Sequence, residues 1–368
     1  MRAADVAIVG AGIIGACIAE TLSRSSRLRI VLLERGSPGC EASNAAAGVL
    51  AVASGQARRG VLLELRRLSA GMFPDLVDRL QAETGIDLGY RRAGLMSLAF
   101  SEAEAAALQA LVQHRTGQSM RCEMLAPADV LRLEPVVNPC VHAAALFPDD
   151  RAINNVHLVR ALIVAAQRRG VVLCEQTGVR SVTRSAGAVK LELDSGCLQA
   201  AVVIVAAGAW SRHLLEPCGV KVPVRPARGE MLAVRPTTWK LQHTLAGGDS
   251  YLVPRDDGEV LIGSTTAFDG FEKYVTADGL ASLRARAAVM VPRSGEATAV
   301  RSWAGLRPCS TIRRPIIAPL PGMENIVLAT GHHRSGILLA PITAQLVTEL
   351  VTGAAPSVFM RPFSYRRH

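Results

Sequence analysis

Gly10, Gly12 and Gly15 follow a short apolar run, Asp5-Val6-Ala7-Ile8-Val9, and Glu34 stands 19 residues beyond the last of them. That spacing suits a turn that holds a pyrophosphate. Gly10 permits the tight bend, Gly12 lets phosphate oxygens approach bare backbone, and Gly15 allows a helix to pack closely on its strand. Ala11, Ile13 and Ile14 complete the turn and open the helix, whose positive end attracts anions. Glu34, followed by Arg35, ends the next apolar stretch, where a carboxylate can accept hydrogen bonds from the ribose hydroxyls of an adenosine. A ligand-free strand–helix turn is the competing reading, and Glu34 at its expected place argues against it. The pattern predicts dinucleotide binding. It does not separate FAD from NAD, so a nicotinamide-dependent dehydrogenase stays open at this point.

The elements that must position this loop can be read around it. A strand, the glycine turn, a helix to about Ser23 and a second strand from Arg29 to Glu34 make a βαβ opening, which implies a parallel sheet. A helical pattern from Gly60 to Glu83 is interrupted at Pro74. A further helix and strand are expected at Asn155 to Arg169 and Val171 to Glu175, and a buried strand from Ala201 to Ala206 runs into Ala207-Gly208. Tyr251 to Ser264 reads as a hairpin turning at Asp256-Asp257-Gly258. The chain closes with a strand at Asn325 to Ala329 and a helix from Ser335 to about Val351. The α/β pieces fall in three separated stretches, so the expected fold is a Rossmann-like nucleotide domain interleaved with a second, mixed α+β domain.

Composition removes several other classes. At 368 residues the chain is long enough for two packed regions, and its 49% hydrophobic and 20% charged content is that of a globular protein. The net charge of +10 comes from 41 basic residues of which only four are lysine, scattered with no basic run, so nucleic-acid binding is not expected. The eight cysteines form no C-x-x-C pair, which argues against a metal site, an iron–sulfur cluster or a disulfide framework. The apolar stretch from Ala200 to Trp210 is too short to span a bilayer, and Val6 to Ala19 reads as the glycine motif and not as a signal peptide. A cytoplasmic protein without a membrane span is expected.

Later motifs carry a resemblance. Ser43-Asn44-Ala45-Ala46-Ala47-Gly48-Val49-Leu50 is a small-residue loop after the second strand, and Val202 to Ser211 contains Ala207-Gly208-Ala209-Trp210. Tyr251-Leu252-Val253-Pro254-Arg255, Trp303-Ala304-Gly305-Leu306-Arg307-Pro308 and Gly331-His332-His333-Arg334-Ser335-Gly336-Ile337-Leu338 follow in order. Together these resemble the bacterial glycine oxidases of the D-amino acid oxidase family from about residue 4 to residue 352, most strongly after residue 250 and weakly between 85 and 145. The resemblance implies an FAD-binding domain of 1–84, 146–220 and 304–368, and a substrate domain of 85–145 and 221–303.

It also implies roles. Arg307 would clamp a substrate carboxylate, helped by the Tyr251 phenol; the competing reading of Arg307 is a structural ion pair. Arg334 would lie beside the flavin ring, and the helix opened by Ser335 and Gly336 would point its positive end at the ring. Ser43, Ala46, Ala47, Gly48, Ala207, Gly208, Trp210, His333, Ile337 and Leu338 would contact the FAD, with Val179 meeting the adenine. His332 and His333 are expected to pack and not to act as bases, and Cys309 to be a free thiol beside a non-covalent flavin. The implied reaction is hydride transfer from the α-carbon of a small amino acid or amine to the flavin. The resulting imine hydrolyses to a keto acid or glyoxylate and ammonia. Glycine, sarcosine and D-amino acids are all open as substrates. The electrons go to O2 or to a partner electron acceptor. The second case would make the chain a subunit of a hetero-oligomeric amino acid, opine or D-hydroxyproline dehydrogenase or of a hydrogen cyanide synthase; otherwise a homo-oligomer is expected.

Overall fold

A computed structural model describes residues 3–55, 59–185 and 187–365. The opening strand Ala3–Val9 is central to the first sheet, pairing in parallel with Ile30–Leu33 on one side and Gly196–Val205 on the other. Outside these lie Val172–Cys174 and Met323–Thr330, both parallel, and then antiparallel Ile316–Leu320. The chain leaves Ala3–Val9 toward one edge and returns on the other side through Gly196–Val205. The glycine turn therefore sits at a topological switch point, where open α/β sheets bind ligands outside the strand ends.

Helices Ile13–Ser25, Asn155–Arg168, Val61–Gly71, Phe73–Thr84 and Gly336–Thr352 cover one face of this sheet in a continuous apolar core. Pro74 enters in the first turn of Phe73–Thr84, where its missing N–H costs nothing, so it starts a second helix as the sequence suggested. Glu20, fully buried on the first helix, gathers Arg79 at 2.5 Å and Arg169 at 3.3 Å and ties three helices together. The last helix contains Pro341; the buried Ser69 hydroxyl donates to the Leu338 carbonyl at 2.6 Å and accepts from the Ile342 amide at 3.3 Å, filling the break in the ladder. Among the described residues, the stretch His333–Thr352 is the one helix long and apolar enough to cross a membrane, and its apolar part is mostly buried inside the fold.

A second sheet of eight strands runs in the order Thr298–Ser310, Val224–Arg235, Val260–Gly263, Ser250–Pro254, Thr244–Gly247, Leu95–Ala99, Ala143–Phe147 and Glu123–Leu125. The expected hairpin is present as Ser250–Pro254 and Val260–Gly263. The expected boundaries at 304 and 146 fall inside strands of this sheet. Thr298–Ser310 is one continuous strand paired along its length with Val224–Arg235, so residues 304–310 belong to the second sheet. The paired strands Val179–Ser185 and Ala188–Leu193, absent from the sequence reading, extend the first sheet from Gly196–Val205.

Candidate active site

One long cleft, about 400 Å³, runs from the glycine turn to the start of the last helix between the two sheets. Gly10 holds φ +101° and lies so close to Gly196–Val205 that a Cβ would meet the Ala206 carbonyl oxygen at 2.6 Å. A Cβ on Gly15 would stand 1.9 Å from the Gly10 carbonyl oxygen, which is the close helix–strand contact the motif requires. Glu34 is buried and accepts from the Ala11 amide at 2.8 Å and the Gly36 amide at 3.0 Å, so its carboxylate fixes the turn from below while still lining the cleft. The Ser43 hydroxyl accepts from the Ile13 amide at 2.8 Å and supplies the cap that Gly12 lacks.

The loop from Ser43 to Gly48 is held from outside. Asn155 donates to the Ser43 carbonyl at 2.6 Å and accepts from Arg255 at 2.8 Å, and Arg255 also donates to the Ala47 carbonyl at 3.2 Å. Burial pushes Arg255 down to about 10, and its carbonyl partners are what make that position tolerable. At the outer rim Arg35 stacks on Trp210 at 3.7 Å, and Phe271 packs on Trp210 and His213.

The other end of the cleft is cationic. Arg307 reaches in from Thr298–Ser310, donating to the Ser264 hydroxyl at 2.7 Å and the Thr265 carbonyl at 3.2 Å. Room for its guanidinium exists because residue 229 is a glycine; a Cβ there would lie 2.2 Å from both terminal nitrogens. Burial and the neighbouring Arg334 pull Arg307 below the usual guanidinium range, with the Tyr251 phenol acting the other way; it remains a cation at neutral pH. Among the described residues no carboxylate pairs with Arg307 or Arg334, while Arg228 next to Gly229 is closed off by Glu230 and Asp269. Arg334, more exposed, donates to the Thr266 hydroxyl at 3.1 Å.

His333 lies in the turn that precedes the last helix, at φ +51°. Burial, Arg307 and Arg334 together lower it to about 4, so it is neutral at pH 7. His332 is lowered to about 3 by burial alone and is bonded to Thr343 at 3.0 Å.

The cleft brings together Gly10, Gly12, Ile13, Ile14, Glu34, Arg35, Ser43, Ala46, Ala47, Gly48, Val179, Ala207, Gly208, Trp210, Tyr251, Arg307, His333, Arg334, Gly336 and Ile337. Ala11, Gly15, Ser335 and Leu338 stand behind its wall. Ala11 is buried against Glu34, Gly15 against Gly10, and Ser335 accepts from Arg66 at 2.8 Å. The Leu338 side chain is buried in the helix core. Cys309 does not line the cleft, whereas Leu306, Arg307 and Pro308 do. Gly229, Ser264, Thr177, Arg180 and His213 line it without having been singled out from the sequence, because no local motif surrounds them. Among the described residues no cluster of three or more histidines, cysteines or carboxylates could hold a metal ion.

Known proteins agree with this geometry. The family model described as FAD dependent oxidoreductase matches residues 5–350. A glycine oxidase from Geobacillus kaustophilus is 35% identical over 366 residues, covering 99% of this chain and 97% of that protein. The hydrogen cyanide synthase subunit HcnC of Pseudomonas aeruginosa is 29% identical, covering 98% and 95%. The crystal structure of glycine oxidase from Geobacillus kaustophilus superposes with a TM-score of 0.97 at 34% identity over 100% of both chains. The nicotinamide alternative left open by the glycine motif is thereby removed: this chain belongs to the FAD-dependent oxidoreductases of the D-amino acid oxidase family.

Proposed function

We propose that the chain oxidises the carbon–nitrogen bond of glycine or a closely related small amino acid or amine, with bound FAD as the immediate electron acceptor and O2 as the final one. The observation that carries this reading is Arg307, partly buried in the cleft wall, charged and without a carboxylate partner among the described residues. A desolvated cation of this kind is stabilised when an anion arrives, and a planar guanidinium matches a carboxylate edge to edge. The close-packed glycines, the Ser43 cap and the Glu34 carboxylate support FAD at the other end, because they form a cradle that side chains would fill. The position of Cys309 outside the cleft supports non-covalent binding.

FAD, when bound, supplies the two-electron acceptor. Every other task falls to the chain. Arg307 and Tyr251 hold the substrate carboxylate and so orient its α-carbon. Arg307 and Arg334 also disfavour a third positive charge nearby, which keeps the substrate nitrogen unprotonated with its lone pair available. His333, neutral at pH 7 and a weak acid-range base, takes no proton in this scheme. The released imine hydrolyses in water to glyoxylate or a keto acid and ammonia.

The glycine oxidase relatives support oxygen as acceptor and the HcnC relative supports a partner protein. The purified holoprotein, given glycine, sarcosine and D-alanine, is expected to form hydrogen peroxide in step with glyoxylate or pyruvate. Flavin reduction without peroxide would transfer the acceptor role to a partner, and no flavin reduction by any of the three would overturn the substrate class. A homo-oligomer and a cytoplasmic setting belong to the same proposal; the eight unpaired cysteines support a reducing compartment.

A further inference from the structure

The hydroxyls that line the cleft differ in what they have left to donate. Thr177 gives its proton to the Glu175 carbonyl and Thr330 gives its own to the Gly208 carbonyl, each at 2.9 Å. Ser43 only accepts, from the Ile13 amide, and so keeps its proton, but it lies at the far end under the first helix. Ser264 keeps its proton beside Arg307. It is 5% exposed, and its Oγ accepts from Arg307 at 2.7 Å. A guanidinium has donors only, so this bond uses a serine lone pair and leaves the serine hydrogen unspent. Among the described residues the Ser264 Oγ makes no second hydrogen bond. A buried donor without an acceptor costs desolvation free energy that only a new acceptor returns.

The local backbone shows where that acceptor would sit. Ser264 follows Gly263, which pairs with Tyr251 across the hairpin, and a Cβ on Gly263 would stand 2.7 Å from the Tyr251 ring. Glycine at 263 thus lets the phenol and the serine hydroxyl flank one guanidinium. The Tyr251 hydroxyl accepts from Arg307 and sends its own proton to the Met231 sulfur at 3.5 Å, a weak acceptor. Two under-used hydroxyls therefore converge on one uncompensated cation.

We propose that Ser264 is a further substrate-binding residue, whose hydroxyl donates to the carboxylate that Arg307 holds. This rests on the carboxylate reading of Arg307 given above and extends it from a two-residue to a three-residue clamp. The probe is glycolate, which carries a hydroxyl where glycine has its amine, titrated into the holoprotein through its effect on flavin absorbance. Ser264→Ala is expected to raise the glycolate Kd about tenfold, and Ser264→Thr to restore most of the affinity. A crystal structure of the native holoprotein with glycolate is expected to place Oγ within about 3.2 Å of a carboxylate oxygen. That structure also guards against a variant that fails to fold. A separation beyond about 4 Å would overturn the proposal even if the affinity fell, since serine would then act only through Arg307. An unchanged Kd in Ser264→Ala beside a large loss in Arg307→Ala overturns it while leaving the carboxylate reading intact. No loss in Arg307→Ala overturns that reading itself.

Discussion

The two ends of the cleft are built in opposite ways. At the glycine end the recognition groups are backbone and near neighbours in sequence: Gly10 to Gly15 form the turn, and Glu34 locks it through the Ala11 and Gly36 amides. At the arginine end Tyr251 and Ser264 come from one hairpin and Arg307 from a distant strand of the same sheet, and Arg334 joins them from the turn before the last helix. The first end presents fixed dipoles to a polyanion that never leaves during turnover. The second presents a desolvated cation to an anion that must come and go. Preorganisation matters at both, but at the first it is written in the spacing of one motif and at the second in the packing of the whole molecule.

Four changes would break or sharpen this contrast. The largest effect is expected from Gly10→Ala, because a Cβ at φ +101° would collide with the Ala206 carbonyl. The purified variant should be colourless or unfolded, and a yellow, stable Gly10→Ala would remove the turn from the cofactor site. Arg307→Ala should keep its flavin yet lose at least about 100-fold in kcat/KM for carboxylate substrates, an effect of ~3 kcal/mol on a charge-assisted pair. Loss of flavin together with activity would mean that the two ends are not separable.

Acid should act on the arginine end. His332 is held near 3 in the folded protein against 6.5 in an open chain. Above pH 6.5 the residue is neutral in both states and costs nothing; as pH falls from 6.5 toward 3 the unfolded chain gains a proton that the folded one refuses. Stability should therefore fall on acidification, by about 2 kcal/mol near pH 5 from this residue, and His332→Gln should flatten that part of the Tm-against-pH curve. A slope unchanged in the variant would assign acid sensitivity elsewhere. The smallest effect is expected at Glu34→Gln, which keeps one acceptor but sets an NH2 group against a backbone amide. FAD affinity should drop about tenfold, or ~1.4 kcal/mol, measured by titrating apoprotein with FAD. A loss as complete as that of Gly10→Ala would make the side chain, and not the backbone turn, the principal determinant.

How much of this was legible beforehand follows from the range of the interactions. The βαβ opening, the split at Pro74 and the hairpin after Tyr251 rest on periodicity and turn chemistry, and the structure has them. The strands Val179–Ser185 and Ala188–Leu193 escaped because only Val182, Val189 and Leu191 are buried between polar neighbours, a signal too short to stand out. The strand Thr298–Ser310 runs across the expected boundary at 304 because it owes its length to pairing with residues more than 60 positions earlier. Gly229 and Ser264 carry no motif of their own; each matters for the side chain that approaches it from another strand.

What the amino-acid order alone determined is the glycine turn, its acidic partner and the helices and strands beside them, since such contacts span few residues and follow from backbone freedom and apolar spacing. Only the tertiary structure decided that, among the described residues, Arg307 goes without a carboxylate while Arg228, on the neighbouring strand, is fully paired. Charge compensation depends on what folding brings within a few ångströms, and no spacing rule within one segment carries that information.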